Sequence, residues 1–246
     1  MDDAIKQQVN QSTVESLLYT LYWLAFFSLA LPMASYLIIF LSGGGALLLN
    51  DITYLEQLDS NPGLVFISTF LTAVLTLPFL KSTLDAQNKS EVIGRLAIEK
   101  VALFPLIITV LLTAAYVLLE QWLFGFMEVA LPDFMLEVEA QTNSLLAKIM
   151  LFLAVIFIGP IFEEVVFRGV AFYRLKKTAL GAIGAIIIPS IVFTLLHGQY
   201  DQVEIFISLF VFSCLMGLIR HLSGNLWYCI IAHMICNLLA LGEIIW

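Results

Sequence analysis

Apolar residues gather along the chain in long runs separated by short polar stretches. The runs are Leu17 to Leu41, Leu64 to Leu80, Val101 to Phe126, Ile149 to about Phe172, about Ala179 to His197, Val203 to Ile219 and Leu226 to Ile245. Each comes close to the ~20 residues that a helix rising 1.5 Å per residue needs to cross a hydrocarbon core. The pattern predicts an all-α fold, a polytopic membrane helix bundle of about seven to eight transmembrane helices. Pro32 interrupts the first run, where a membrane helix tolerates a kink, and Gly43, Gly44 and Gly45 follow its end. An acidic loop with Asp51, Glu56 and Asp59 comes next. Lys81 to Lys100 reads differently: its Asp85/Lys89 and Glu91/Arg95 spacings predict a short helix outside the hydrocarbon. In the connector from Met127 to Ala147, Leu131, Phe134, Met135 and Leu136 alternate with carboxylates, a pattern suited to resting on the membrane surface.

Composition agrees with the pattern. Of 246 residues, 61% are hydrophobic and 12% charged, far from the roughly 25% charged residues of soluble domains, and mean hydropathy is +0.99. The first run is too long for the apolar stretch of a cleaved signal and is read as a retained span. Cys214, Cys229 and Cys236 lie in apolar runs without CxxC spacing, so neither a disulfide framework nor a zinc ribbon is indicated. A net charge of -8 argues against nucleic acid as a partner; the lipid bilayer is the partner that composition implies. The cations are distributed unevenly. Lys6, Lys81, Lys89, Arg95, Lys100, Arg174, Lys176, Lys177 and Arg220 fall in loops on one side of the predicted bundle and Lys148 on the other. The positive-inside rule then places the N-terminus in the cytoplasm and the C-terminus outside. Tyr173, Trp227 and Tyr228 fall at the inner interface, Trp122 and Trp246 at the outer. No internal repeat is visible. Residues 1–140 read as N-terminal helices and connectors, and 141–246 as a catalytic helical core of the same integral membrane domain.

Against this background the stretch Gly159 to Arg168, GPIFEEVVFR, stands out. An ionised side chain near the centre of a membrane helix costs about 2.5–3.5 kcal/mol on insertion scales, so three in one turn and a half call for a function. Glu164 and Arg168 are four apart and share a helix face, whereas Glu163 points about 100° away and stays available. The fifth run ends in Phe193 and His197, the seventh contains His233 and Asn237, and each pair again has the spacing of one face. The ordinary readings are that a membrane histidine packs, that Arg168 anchors topology and that Asn237 cross-links helices. The conjunction on three helices outweighs them. His221, beside Arg220, reads as a loop residue.

In order and spacing these motifs resemble the pattern EExxxR, FxxxH, HxxxN of the type II CAAX prenyl endopeptidases, the CAAX-processing and bacteriocin-processing (Abi, CPBP) intramembrane peptidases. The resemblance covers about Ile149 to Leu241 and leaves the first 140 residues unmatched. It implies an intramembrane endopeptidase of glutamate type, often labelled a metalloprotease. Its substrate would be a prenylated protein, a leader peptide or another membrane-associated polypeptide, cut near the cytoplasmic side. It also implies roles. Glu163, helped by His197, activates a water; His233 and Asn237 donate to the oxyanion; Glu164 and Arg168 form a supporting pair; and Phe193 is a wall. No cofactor is expected. The alternative is zinc, held by Glu163, His197 and His233.

Two rival functions remain open in the sequence: a non-catalytic membrane regulator or immunity protein that binds a partner, and a proton-coupled transporter, which the lack of repeats disfavours. The compact chain fits a prokaryotic inner membrane. One feature resists simple spans. Glu163 is midway along its run and His197 near the end of its own, about 10 Å apart in depth at 1.5 Å per residue. Either the fifth helix begins below the inner interface, or His197 and Gly198 lie in a re-entrant turn with residues 198–201 buried.

Overall fold

A computed structural model of the chain describes residues 3–41 and 60–245. The regular structure among its described residues is all helical and forms a bundle: α1 (residues 3–41), α2 (Pro62–Thr83), α3 (Lys89–Leu96), α4 (Leu103–Phe126), α5 (Asp133–Gln141), α6 (Leu145–Lys176), α7 (Gly181–Leu195), α8 (Val203–Ser223) and α9 (Leu226–Ile245). Among the described residues five helices are long and apolar enough to cross a membrane: Ser12–Ile38 within α1, and α2, α4, α6 and α8. The shorter α7 and the stretch Leu226–Gly242 of α9 supply two more apolar helices. The expected polytopic bundle is therefore present. Residues 43–45, the loop acids at 51, 56 and 59, and residue 246 lie outside the described residues.

Helix ends follow local chemistry. Asn61 caps α2 by accepting from the Gly63 and Leu64 amides, with Pro62 in the first turn. Asn88 caps α3 and Ser144 caps α6 in the same way. Gly224, in the left-handed region at φ 66°, ends α8. Inside the bundle, hydroxyls bond their own helix: Thr20, Thr76, Thr113, Ser190 and Thr194 each donate to the carbonyl four residues back. Ser35 and Thr72 also meet across α1 and α2 at 3.0 Å. Outward faces carry exposed Leu, Ile, Phe and Val, as lipid contact requires.

Three details depart from the sequence reading. Asp85 does not pair with Lys89: it lies before α3 with φ 55° and accepts from Arg174 at 3.0 Å, while the Glu91–Arg95 pair forms as spaced. Arg220 and Tyr228 are buried, not interfacial: Arg220 donates to the carbonyls of Arg168 and Leu96, and the Tyr228 hydroxyl accepts from the Ala102 amide. His221 lies in the last turn of α8, not in a loop.

The helix α6 is the axis of the bundle and its least regular element. Two π segments, Leu153–Ile158 and Val165–Ala171, flank the α-helical Gly159–Glu164. Pro160 lacks an amide hydrogen and sits at the junction, where the ladder is already disturbed. Single π turns recur at functional sites because they widen the helix and re-aim its side chains. A third π segment, Phe26–Ala30 in α1, precedes Pro32, so the expected interruption there is a widened turn.

Candidate active site

The residues between the two π segments of α6 carry the carboxylates, and the helices α7, α8 and α9 close around them. Glu164 is fully buried. Its Oε1 accepts from Arg168 Nη1 at 3.0 Å and from His233 Nδ1 at 2.9 Å. Arg168 Nη2 donates to the carbonyl and hydroxyl of Ser213 on α8, at 2.8 and 2.6 Å, and the guanidinium lies 5.2 Å from the Phe193 ring centre. Three helices are thus tied to one buried anion and cation. Removing such a pair from water is costly, and it is tolerated only where the remaining donors and acceptors are satisfied. Here Glu164 Oε2 alone is left without a protein partner.

Glu163 is placed differently. Its side chain is 30% accessible, and His233 Nε2 lies 3.8 Å from its Oε2. That is beyond hydrogen-bond length. The Glu164 carboxylate can only accept from His233 Nδ1, so neutral His233 carries its lone pair on Nε2, facing Glu163. Two acceptors face one another across a gap that a proton or a water would bridge.

His197 follows the end of α7. Its Nδ1 donates to the Phe193 carbonyl at 2.7 Å, which also leaves a lone pair on Nε2. Phe193 is the wall between the two imidazoles, with ring centres 4.4 Å from His197 and 6.1 Å from His233. Tyr200 stacks parallel to His197 at 6.4 Å. Burial raises the Tyr200 phenol above its ordinary value, and the negative charges of Glu163 and Glu120 push the same way. Asn237, one turn beyond His233 on α9, donates through Nδ2 to the Val155 carbonyl in the first π segment of α6 at 2.9 Å. One amide hydrogen is left for another acceptor.

The structure thus brings Glu163, Glu164, Arg168, Phe193 and His233 into one contact chain, with His197 joined through Phe193. A turn follows α7. Gly198 and Asp201 are exposed, however, so residues 198–201 are not buried. Among the described residues no three His, Cys, Asp or Glu side chains are grouped as a metal site. Several residues at or near the site escaped the sequence reading. Ser213 and Tyr200 carry no motif. Glu120 on α4 accepts from the hydroxyls of Tyr116, at 3.1 Å, and Ser208. A lone carboxylate inside an apolar run was the available signal for Glu120.

Fold and site together define a polytopic helical membrane protein with a buried carboxylate, guanidinium and imidazole cluster in its C-terminal half. Residues 145–239 match the family model described as Type II CAAX prenyl endopeptidase Rce1-like. The segment carrying the site is similar to that family, in agreement with the three motifs. No curated protein and no solved structure matches the chain.

Proposed function

We propose that the chain is an intramembrane endopeptidase that hydrolyses a peptide bond of a membrane-associated polypeptide, in processing of the CAAX or leader-peptide type. The observation that carries this reading is the contrast between adjacent carboxylates. Glu164 is locked by Arg168 and His233, while Glu163 is partly accessible and has no hydrogen-bond partner among the described residues. Glu163 is the group free to take a proton.

In the reaction, a water held between Glu163 and His197 Nε2 attacks the scissile carbonyl carbon, and its proton passes to Glu163. The C=O bond becomes a C–O⁻ single bond. The second Asn237 amide hydrogen donates to that oxyanion, and His233 Nε2 does so when protonated, a state that Glu164 stabilises through Nδ1–H. Collapse breaks the C–N bond as Glu163 returns the proton to the leaving amine. Burial of Glu164 and Arg168 keeps the donors and acceptors of this constellation fixed. The reading needs no cofactor.

Cleavage of a quenched fluorescent peptide library, with farnesylated and unmodified members, tests it in detergent. Turnover by the wild type that Glu163→Gln abolishes and EDTA spares is the expected result. Sensitivity to EDTA or phenanthroline that zinc alone restores would overturn the glutamate mechanism. A Glu163→Gln chain that retains its phenotype in cells would establish the non-catalytic regulator instead.

A further inference from the structure

The two ends of the bundle differ in charge and in their access to the site. At one end, the α2–α4 connection, the C-terminus of α6 and the C-terminus of α8 come together. Arg174 donates to Thr83 and Asp85, Arg220 to Leu96, and the Leu226 amide to the Ala97 carbonyl. The start of α1 joins them, with Thr13 accepting from the Ala179 amide. This end holds Lys81, Lys89, Arg95, Lys100, Arg174, Lys176 and Lys177. At the other end lie α5, the start of α6, and the α7–α8 turn. Gln202 bonds the Ala130 carbonyl and Phe134 meets Tyr200 edge-on, tying that turn to the α4–α5 region. Its cation is Lys148, and its acids include Glu128, Asp133, Glu137, Glu139, Asp201 and Glu204.

From Glu163 toward the basic end, every layer is closed. Glu164, Phe167, Arg168, Phe193, Met216 and Cys229 are each at most 3% exposed, and Phe172, Leu175 and Leu226 close the next layer. Toward the acidic end the side chains open: Glu163, His197, Tyr200 and Asn237 are all partly accessible, and Gly198, Gln199 and Asp201 are exposed. The excess of Lys and Arg in short loops marks the cytoplasmic side. The open end is then the opposite one.

We propose that the catalytic chamber is entered from the extracytoplasmic face, and that its substrate is an exported or externally exposed polypeptide segment, not the cytoplasmic C-terminus of a lipid-modified protein. The substrate class rests on the endopeptidase reading, whereas the direction of entry does not. The acidic rim favours a cationic segment there.

Cysteine labelling reads the direction without reference to activity. In a chain whose native Cys214, Cys229 and Cys236 are replaced by alanine, Gly198→Cys or Asp201→Cys marks the mouth and Lys176→Cys the basic end. A Cβ at Gly198 meets only the Leu195 carbonyl, at 4.0 Å, so the first variant fits without strain, and the exposed Asp201 gives an independent second. With a membrane-impermeant maleimide, the mouth cysteines are expected to label equally in intact and lysed cells, and Lys176→Cys only after lysis. Mouth labelling that requires lysis, or labelling of both ends under the same condition, overturns the proposal. A second arm adds fluorogenic peptide to intact spheroplasts. Cleavage without lysis that Glu163→Gln removes supports the substrate class, and cleavage that requires lysis overturns it. Absence of cleavage in both states, from a chain whose mouth labels externally, counts against the proteolytic reading and leaves the direction of entry standing.

Discussion

His233 Nδ1 and Glu164 Oε1 lie 2.9 Å apart, and this one contact sets the tautomer of the imidazole that faces Glu163. The same oxygen also receives Arg168. Glu164 therefore helps to hold three helices together and turns the His233 ring toward Glu163. Replacing Glu164 by Gln leaves a buried guanidinium without its anion, a change that costs about 3–5 kcal/mol when one partner of a buried pair is removed. The Glu164→Gln chain is expected to unfold at markedly lower temperature in detergent than the wild type. An unchanged melting temperature would show that the pair is not structural.

Glu163→Gln, one position earlier, is expected to do the reverse. Its side chain is partly accessible and makes no hydrogen bond among the described residues. Stability should stay within about 0.5 kcal/mol of wild type, as for substitutions away from packed features. Activity should fall by about 10²–10⁴-fold, the range for loss of a general base. The two adjacent Glu→Gln changes form a matched pair, read by thermal unfolding and peptide cleavage side by side.

If Glu163 and His197 act on the same water, their losses do not add. His197→Gln removes the Nε2 acceptor and the bond to the Phe193 carbonyl. The double variant with Glu163→Gln should be no slower than the slower single variant, the behaviour of groups that work as a unit. Multiplicative losses would assign them to separate steps.

Much of this was legible in the sequence. Each of the seven apolar runs corresponds to an apolar helix among the described residues, five of them long enough to cross a bilayer and two shorter. The pairing of Glu164 with Arg168 followed from i,i+4 geometry, which survives although a π segment begins between them. What the sequence could not show was third partners. Nothing in its spacing says that His233 would turn Nδ1 to Glu164, or that Ser213 would receive Arg168, because both depend on how α8 and α9 pack on α6. For the same reason Asp85 was matched to Lys89 on an assumed helix, when a left-handed backbone at Asp85 releases it to Arg174. Arg220 was counted among the loop cations because a cation near a span end usually anchors topology. Two carbonyls draw it inside instead, that of Arg168 in the second π segment of α6 and that of Leu96 at the end of α3.

Asn237 separates two roles by magnitude. Its Nδ2 donates to the Val155 carbonyl, a cross-helix bond of the kind worth about 0.6 kcal/mol inside a membrane. A residue that only cross-links would, when changed to alanine, lower stability by that small amount and leave turnover nearly intact. A donor to the oxyanion would instead lower kcat by about 10²–10³-fold with KM little changed, because it acts on charge that develops in the transition state. The expected outcome of Asn237→Ala is the second. Asn237→Asp sharpens the comparison: the carboxylate has no hydrogen to give either to Val155 or to an oxyanion, and adds negative charge beside it, so it should be slower than Asn237→Ala. Steady-state kinetics on the cleaved peptide decide between the two, and a kcat within a factor of about two of wild type for Asn237→Ala would confine this residue to holding α9 against α6.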